Sequence, residues 1–233
     1  MKKLLPLLAF MALFISACSS APVLEEGKGM EETSPYTFEY TTEDMVTVNK
    51  DGVKLVEVEV PFEFIGADYE AVVFEETAEN VYIAINPTGL GGRIFYGGAH
   101  TVYQVSLSTG EVLNTLLAYG GFITDISSNE AEYVYFSQSA EGWDMTIQTF
   151  DGPEKGIGSV YTVTNSAAYA GDGEFSPDGS KVAYSSIAED ESWAQVYILD
   201  LASEEFTLYA EDADGSVQVY DVDWQDNDRP IAE

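Results

Sequence analysis

The chain lacks most of the residues on which enzymes and metal sites depend. Its 233 residues include one cysteine, Cys18, and one histidine, His100. A single cysteine excludes an internal disulfide and a four-cysteine zinc site, and a single histidine excludes every motif that needs two. The sequence also contains no G-x-S-x-G, H-E-x-x-H, C-x-x-C or P-loop motif. It therefore offers no catalytic signature, and we predict no cofactor.

Basic residues are also scarce, since 9 Lys and Arg stand against 41 Asp and Glu and the net charge is −32. Nucleic acids attract proteins through Lys and Arg, so a nucleic-acid partner is excluded. Hydrophobic residues make up 45% of the chain and aromatic residues 13%. This is enough apolar material for a packed core, which excludes global disorder.

The one long apolar run lies at the amino terminus, at residues 4–15, after Lys2 and Lys3. As a helix it would span about 18 Å, less than the ~30 Å of a membrane core, so the pattern is typical of a cleaved signal peptide. Ile15-Ser16-Ala17-Cys18 resembles the lipobox of bacterial lipoproteins. The resemblance implies cleavage before Cys18 and its acylation, with more than one acyl chain for stable anchoring. An ordinary signal peptide with a chance cysteine is the alternative.

The rest of the chain consists of short β-type runs separated by Gly, Asn, Asp and Pro. One pattern is clearest from Phe175 to Tyr184, where Ser176-Pro177-Asp178-Gly179 predicts a tight turn with a left-handed glycine. Weaker copies start at Phe74, Ile126 and Trp224, in steps of 52, 49 and 49 residues.

A second pattern alternates with the first, and each copy predicts a strand, a polar turn and another strand. It occurs at residues 45–52, 102–110, 145–152 and 196–203. Two hairpins in about 50 residues make a four-stranded unit, which predicts an all-β propeller. A β-sandwich is the alternative.

The run from Phe175 to Gly179, with Val182-Ala183-Tyr184 and Val196-Tyr197-Ile198, resembles the repeat of TolB-type propellers, a branch of the WD-like repeats. The match is detailed over residues 174–203 and loose elsewhere. The resemblance implies an interaction module of the cell envelope. It does not carry over the identity of TolB, which has an additional α/β domain and no lipid anchor.

We predict a signal peptide at residues 1–17, a lipidated cysteine and flexible acidic tether at 18–35, and a propeller domain at 36–233. Counting repeats gives about four blades, three whole and one composite of strands from both ends of the domain. A truncated larger propeller is the alternative.

Two tryptophans and two aspartates are the candidate site residues. Trp143 and Trp193 hold matching places between the two hairpins of their blades, where exposed rings would anchor a partner on one rim. Capping of each blade's own core is the alternative. Asp221 and Asp223 point to the same face of a predicted strand and would share a calcium ion, unless they are solvated turn residues.

The sequence thus predicts a monomeric, lipid-anchored envelope propeller that binds a protein or cell-wall partner and is not an enzyme. Ser19 after the cysteine favours the outer membrane of a Gram-negative host, on its periplasmic face or at the cell surface. The alternative is a carbohydrate-active or lactone-hydrolysing propeller with acidic channel residues, with or without calcium.

Overall fold

A computed structural model describes residues 34–42, 44–61, 68–87, 99–118, 120–140, 142–150, 158–163, 169–187, 194–211 and 222–232. The chain divides into two compact units, residues 1–34 and residues 35–233. Apart from Ser34, every described residue belongs to the second unit.

The described residues form seventeen antiparallel strands and no helix, arranged in five sheets that we name blades 1 to 5. Blade 1 contains β1 (Tyr36–Thr42), β2 (Met45–Lys50) and β3 (Val53–Glu59). Blade 2 contains β4 (Tyr69–Glu76), β5 (Asn80–Pro87), β6 (Thr101–Ser106) and β7 (Val112–Leu117). Blade 3 contains β8 (Gly121–Ile126), β9 (Glu132–Ser139), β10 (Gly142–Thr149) and β11 (Ser159–Thr162). Blade 4 contains β12 (Tyr169–Phe175), β13 (Lys181–Ile187), β14 (Gln195–Asp200) and β15 (Glu205–Glu211), and blade 5 contains β16 (Val222–Asp226) and β17 (Arg229–Ala232).

Blades 2, 3 and 4 are whole meanders in which each strand pairs with the next one along the chain. Their central strands read as continuous apolar runs because both of their faces are buried. In β5, Val81 and Ile83 pack towards blade 1, whereas Tyr82 and Ala84 pack towards blade 3. This two-sided burial confirms the predicted all-β propeller architecture of four-stranded blades.

Four apolar clusters fill the seams between successive blades, which we name seam 1/2, seam 2/3, seam 3/4 and seam 4/5. Seam 3/4 is rich in aromatic rings. Phe136 stacks on Phe122 at 6.4 Å between ring centres and lies 5.9 Å from Tyr184. Burial of such rings contributes about 1.5–3 kcal/mol each, so the seams hold the blades together.

The predicted three whole blades are present, but the composite blade is not a single sheet in the part of the chain that the structure describes. β2 pairs with β1 on one side and with β3 on the other. Both edges of β2 are therefore occupied, and β17 pairs with β16 alone in blade 5. β1 was not predicted as a separate strand, and it occupies the edge of β2 that the composite blade required.

Candidate functional site

The repeated turn between the first two strands of a blade is built by side chains that bond to the backbone. In blade 4 the amide N–H of Gly179 donates to the carbonyl of Ser176 over 2.7 Å, and Gly179 has the predicted positive φ, 71°. The Asp178 carboxylate accepts the N–H of Ser180 at 3.0 Å, and the Ser176 hydroxyl accepts the N–H of Lys181 at 3.0 Å. The short polar residues of the motif therefore satisfy the turn's own backbone.

Blade 3 repeats this turn with one difference. Ser127 and Asn129 take the places of Ser176 and Asp178, and the Asn129 side chain accepts the N–H of Ala131 at 3.0 Å. The place of the left-handed glycine is taken by Glu130, which has a φ of 53°. A side chain in this conformation costs about 1 kcal/mol or more, so other contacts must hold Glu130 there.

Those contacts come from blade 2. One carboxylate oxygen of Glu130, Oε2, accepts hydrogen bonds from Asn80 Nδ2 at 2.5 Å, Tyr82 OH at 2.7 Å and Gln104 Nε2 at 3.0 Å. Asn114 Nδ2 in turn donates to Gln104 Oε1 at 2.6 Å. Seam 2/3 is therefore closed by a connected polar network with a carboxylate at its centre.

The network sets the protonation of its members. Burial opposes ionisation of Glu130, but hydrogen bonds from Tyr82 and Asn80 outweigh it and hold the pKa of Glu130 below its ordinary value. Burial raises the pKa of Tyr82 well above its ordinary value, and the adjacent Glu130 adds to this shift. Tyr82 therefore stays a hydrogen-bond donor throughout the physiological pH range.

A second set of acids lies on the first strands of the whole blades. β4, β8 and β12 each contain a bulge, and these bulges end at Glu75, Asp125 and Glu174. Bulges turn a side chain away from the regular alternation of a strand. Asp125 is half-buried, and its Oδ2 accepts the backbone N–H of Phe175 in blade 4 at 2.7 Å.

Asp125 on β8 and Glu174 on β12 follow the bulges at matching places of blades 3 and 4. Burial raises the pKa of Asp125 to about 7, and backbone hydrogen bonds from Phe175 and Ile126 only partly oppose this effect. Burial also raises the pKa of Glu75, with a further contribution from the charge of Glu130. A carbohydrate-active or lactone-hydrolysing propeller would need acids with raised pKa values, and here such acids lie on the first strands of the whole blades.

Three of the five predicted site residues, Cys18, Trp193 and Asp221, lie outside the described residues. Trp143 lies half-buried in seam 3/4, with its ring centre 5.9 Å from that of Phe122 and 5.8 Å from that of Tyr169. Its indole N–H is buried without a hydrogen-bond partner among the described residues. The structure thus places Trp143 against the core of the seam, and its role in partner binding remains a prediction.

The fifth predicted site residue, Asp223, is exposed on β16, where its Oδ1 accepts the N–H of Trp224 at 2.6 Å. The acids that follow it form ion pairs with basic side chains of the same protein. Asp226 accepts two hydrogen bonds from Arg229, at 2.9 and 2.6 Å, and Asp228 forms an ion pair with Lys181 at 2.5 Å. Within the described ranges, no group of three or more His, Cys, Asp or Glu side chains is arranged to hold a metal ion. Calcium binding by Asp221 and Asp223 therefore remains a prediction.

His100 lies directly before β6. Its backbone N–H donates to the Asn86 side chain at 3.1 Å, and its Nδ1 lies 3.3 Å from the Thr101 hydroxyl. None of the residues that the structure describes belongs to a helix of the length and apolarity that a membrane crossing needs.

No family model and no curated protein matches the chain. Among solved structures it is similar to TolB from Acinetobacter baumannii, at 14% identity and a TM-score of 0.41, over 74% of this chain and 39% of that one. It is also similar to an oligogalacturonate lyase in complex with manganese, at 13% identity and a TM-score of 0.44, over 76% and 50% of the two chains. A structure described as a TolB from Agrobacterium tumefaciens matches at 12% identity and a TM-score of 0.45, over 85% and 77%.

The chain therefore spans from about two fifths to about three quarters of the length of these three proteins. At such low identity their site residues do not transfer to this sequence.

Sequence reasoning missed both acidic features of the seams. Asp125 and Glu174 each stand directly before a copy of the repeat, 49 residues apart, and this spacing was visible in the sequence. Glu130 was also detectable, because it occupies the position at which the repeat has Gly179. A large acid at a left-handed position is a signal of a specific contact.

Proposed function

We propose that this protein is a lipid-anchored propeller of the bacterial cell envelope that binds a protein partner and has no catalytic role. The anchor is inferred from the lipobox that ends at Cys18. The binding role is inferred from the outermost strands of the blades, which bear most of the exposed apolar side chains.

The outer strand of blade 4 supports this role best. Among the described strands β15 pairs only with β14, so its other edge has no strand partner in the part of the chain that the structure describes. Leu208 and Tyr209 in its middle are 45% and 44% exposed. Glu205 and Glu211 stand at the two ends of the strand. An edge of this kind suits a partner that adds an extended apolar segment with basic flanks.

The half-buried acids favour a structural role over glycosidase chemistry. Glycosidase carboxyl groups stand roughly 5–9.5 Å apart, on either side of the scissile bond. The Oδ2 of Asp125 is instead occupied by the backbone N–H of Phe175, at 2.7 Å. Glu130 is occupied by three donors from blade 2.

The anchor is tested by expressing the full chain and a Cys18→Ala variant in bacteria that are fed an alkyne-labelled palmitate. We expect label and membrane association for the wild type and loss of both for the variant. A wild-type protein that is unlabelled and released in soluble form would contradict the lipid anchor.

The binding role is tested with a photo-crosslinking amino acid in place of Tyr209 in the anchored protein. The matched control carries the crosslinker in place of Thr37, which is exposed on β1. We expect a discrete adduct from the first site that a Leu208→Glu change abolishes without lowering the melting temperature. Equal adducts at both sites, or an adduct insensitive to Leu208→Glu, would contradict binding at β15.

A further inference from the structure

An aspartate followed by glycine can react with its own backbone, because glycine has no Cβ to hinder its nitrogen. The five such pairs of this chain are Asp51–Gly52, Asp151–Gly152, Asp172–Gly173, Asp178–Gly179 and Asp214–Gly215. The second and the fifth lie outside the described residues. The other three lie in very different surroundings, and these surroundings determine which pair can react.

In this reaction the glycine nitrogen attacks the carboxyl carbon of the aspartate side chain. A C–N bond forms, a C–O bond of the carboxyl group breaks, and the oxygen leaves as water with the amide proton and the carboxyl proton. The product is a five-membered succinimide ring, which one water molecule reopens. Opening at the side-chain carbonyl regenerates aspartate, whereas opening at the main-chain carbonyl gives isoaspartate, in which the backbone runs through the side-chain carbons.

The pair Asp51–Gly52 leaves both reacting groups accessible. These residues form the two-residue turn between β2 and β3, and both are exposed. Among the described residues, neither the Asp51 carboxylate nor the Gly52 N–H has a hydrogen-bond partner. No atom lies within 4 Å of the place where a Cβ of Gly52 would stand. The carboxyl group and the nitrogen can therefore approach each other after a small movement of the turn.

The pair Asp178–Gly179 is the natural control, because Asp178 is exposed like Asp51 but both of its reacting groups are occupied. Asp178 Oδ1 accepts the backbone N–H of Ser180 at 3.0 Å, the Ser180 hydroxyl at 2.7 Å and the Ser176 hydroxyl at 2.9 Å. The Gly179 N–H, which would attack, donates to the Ser176 carbonyl at 2.7 Å. Reaction here must first break these hydrogen bonds.

The pair Asp172–Gly173 is held by packing. Gly173 is buried in β12, where an added Cβ would lie 2.5 Å from Cε2 of Phe136. Its carbonyl accepts the Thr124 hydroxyl at 2.7 Å, and Asp172 Oδ2 accepts the Tyr169 hydroxyl at 3.1 Å. Ring closure at this place would have to displace the core of seam 3/4.

We propose that Asp51 is a site of spontaneous isomerisation to isoaspartate, and that the native fold protects Asp178 and Asp172 from the same reaction. Isoaspartate adds an atom to the backbone, so the two-residue turn no longer fits the register in which Lys50 pairs with Val53. Lys50 also forms an ion pair with Glu76 at 2.7 Å across seam 1/2. The modification therefore loosens the end of blade 1.

The test is prolonged incubation of the full chain at neutral pH and physiological temperature, in buffer and in concentrated guanidinium chloride. Peptide mapping locates the isoaspartate, and methyl transfer from labelled S-adenosylmethionine by an isoaspartate methyltransferase counts it. In buffer we expect Asp51 to isomerise about tenfold or more faster than Asp178, the factor implied by release of two or more ordinary hydrogen bonds. In guanidinium chloride the two rates should converge. Equal rates in buffer, or a difference that persists after unfolding, would overturn the proposal.

Two variants test the cause of the difference. Asp51→Asn keeps the turn but forms the succinimide with loss of ammonia, so its conversion appears as a mass change of the peptide that contains it. Ser180→Ala removes one hydrogen bond to Asp178 and should speed isomerisation there severalfold while leaving Asp51 unchanged. An Asp51→Asn protein that stays intact, or a Ser180→Ala protein in which Asp178 reacts no faster, would also overturn the proposal.

Discussion

Seam 2/3 and seam 3/4 join successive blades of one repeat, but different groups fill them. In seam 2/3 the turn residue Glu130 inserts its carboxylate among Asn80, Tyr82 and Gln104. In seam 3/4 the matching residue is Gly179, and the facing strand presents Glu132 where seam 2/3 presents Asn80. An acid at position 179 would meet another acid, so the two turns are not interchangeable.

This difference shows how a repeat protein fixes the order of its blades. The backbone of the turn is the same in both places. What distinguishes one pair of blades from the next is the side chain at the left-handed position and its partner about 50 residues earlier. The two seams also respond to pH in opposite directions. The lowered pKa of Glu130 means that its contribution is present at neutral pH and lost as pH falls. Burial raises the pKa of Asp125 in seam 3/4, so stability is lost there as pH rises towards that pKa.

The largest expected effect concerns the aromatic packing of seam 3/4. Phe136 is fully buried between Phe122 and Tyr184. Phe136→Ala should lower the free energy of unfolding by about 3–5 kcal/mol, because it leaves a cavity between two blades. Phe136→Leu keeps most of the volume and should cost about half as much or less. Urea unfolding of both variants measures the difference, and equal losses would show that ring volume does not determine the strength of this seam.

The next largest effect is expected at Glu130. Two substitutions there distinguish the contribution of its hydrogen bonds from that of its backbone conformation. Glu130→Ala should lower the free energy of unfolding by about 2–3 kcal/mol, because three donors of blade 2 lose their acceptor and alanine still has a positive φ. Glu130→Gly should be about 1 kcal/mol more stable than Glu130→Ala, because glycine adopts that φ without strain.

Gly179→Ala is the control at the matched position of seam 3/4. It adds the same backbone strain and removes no hydrogen bond, so we expect it to lower the free energy of unfolding by about 1 kcal/mol. Denaturant unfolding at neutral pH compares the three variants. A loss in Gly179→Ala as large as that in Glu130→Ala would show that strain, and not the polar network, accounts for the effect.

Regular features of the chain could be predicted from its sequence. The left-handed Gly179, the hairpin turn at Asp51 and Gly52, and the three whole blades all follow from local turn chemistry and strand periodicity. These features depend on residues close together in the chain, which is why pattern reasoning reached them.

The features that the sequence did not reveal depend on contacts about 50 residues apart. Asp125 looked like one acid among 41, and only the packing of β8 against β12 shows that its carboxylate accepts the backbone N–H of Phe175. Trp143 stood in a predicted link between hairpins, whereas β10 begins at Gly142 and carries the ring into seam 3/4. Composition identifies candidate residues, but the register between blades determines which of them are buried.

The smallest expected effect lies at seam 4/5, where the same turn position holds Asp228. Its carboxylate pairs with Lys181 at 2.5 Å, and 83% of the Asp228 side chain is exposed. Lys181→Met should cost less than about 1 kcal/mol, because water and salt screen an exposed pair. A double-mutant cycle with Asp228→Asn, measured in low and high salt, isolates the pair. If its coupling energy equals that between Glu130 and Tyr82, burial does not distinguish the seams, and the shared turn position alone sets the strength of the contact.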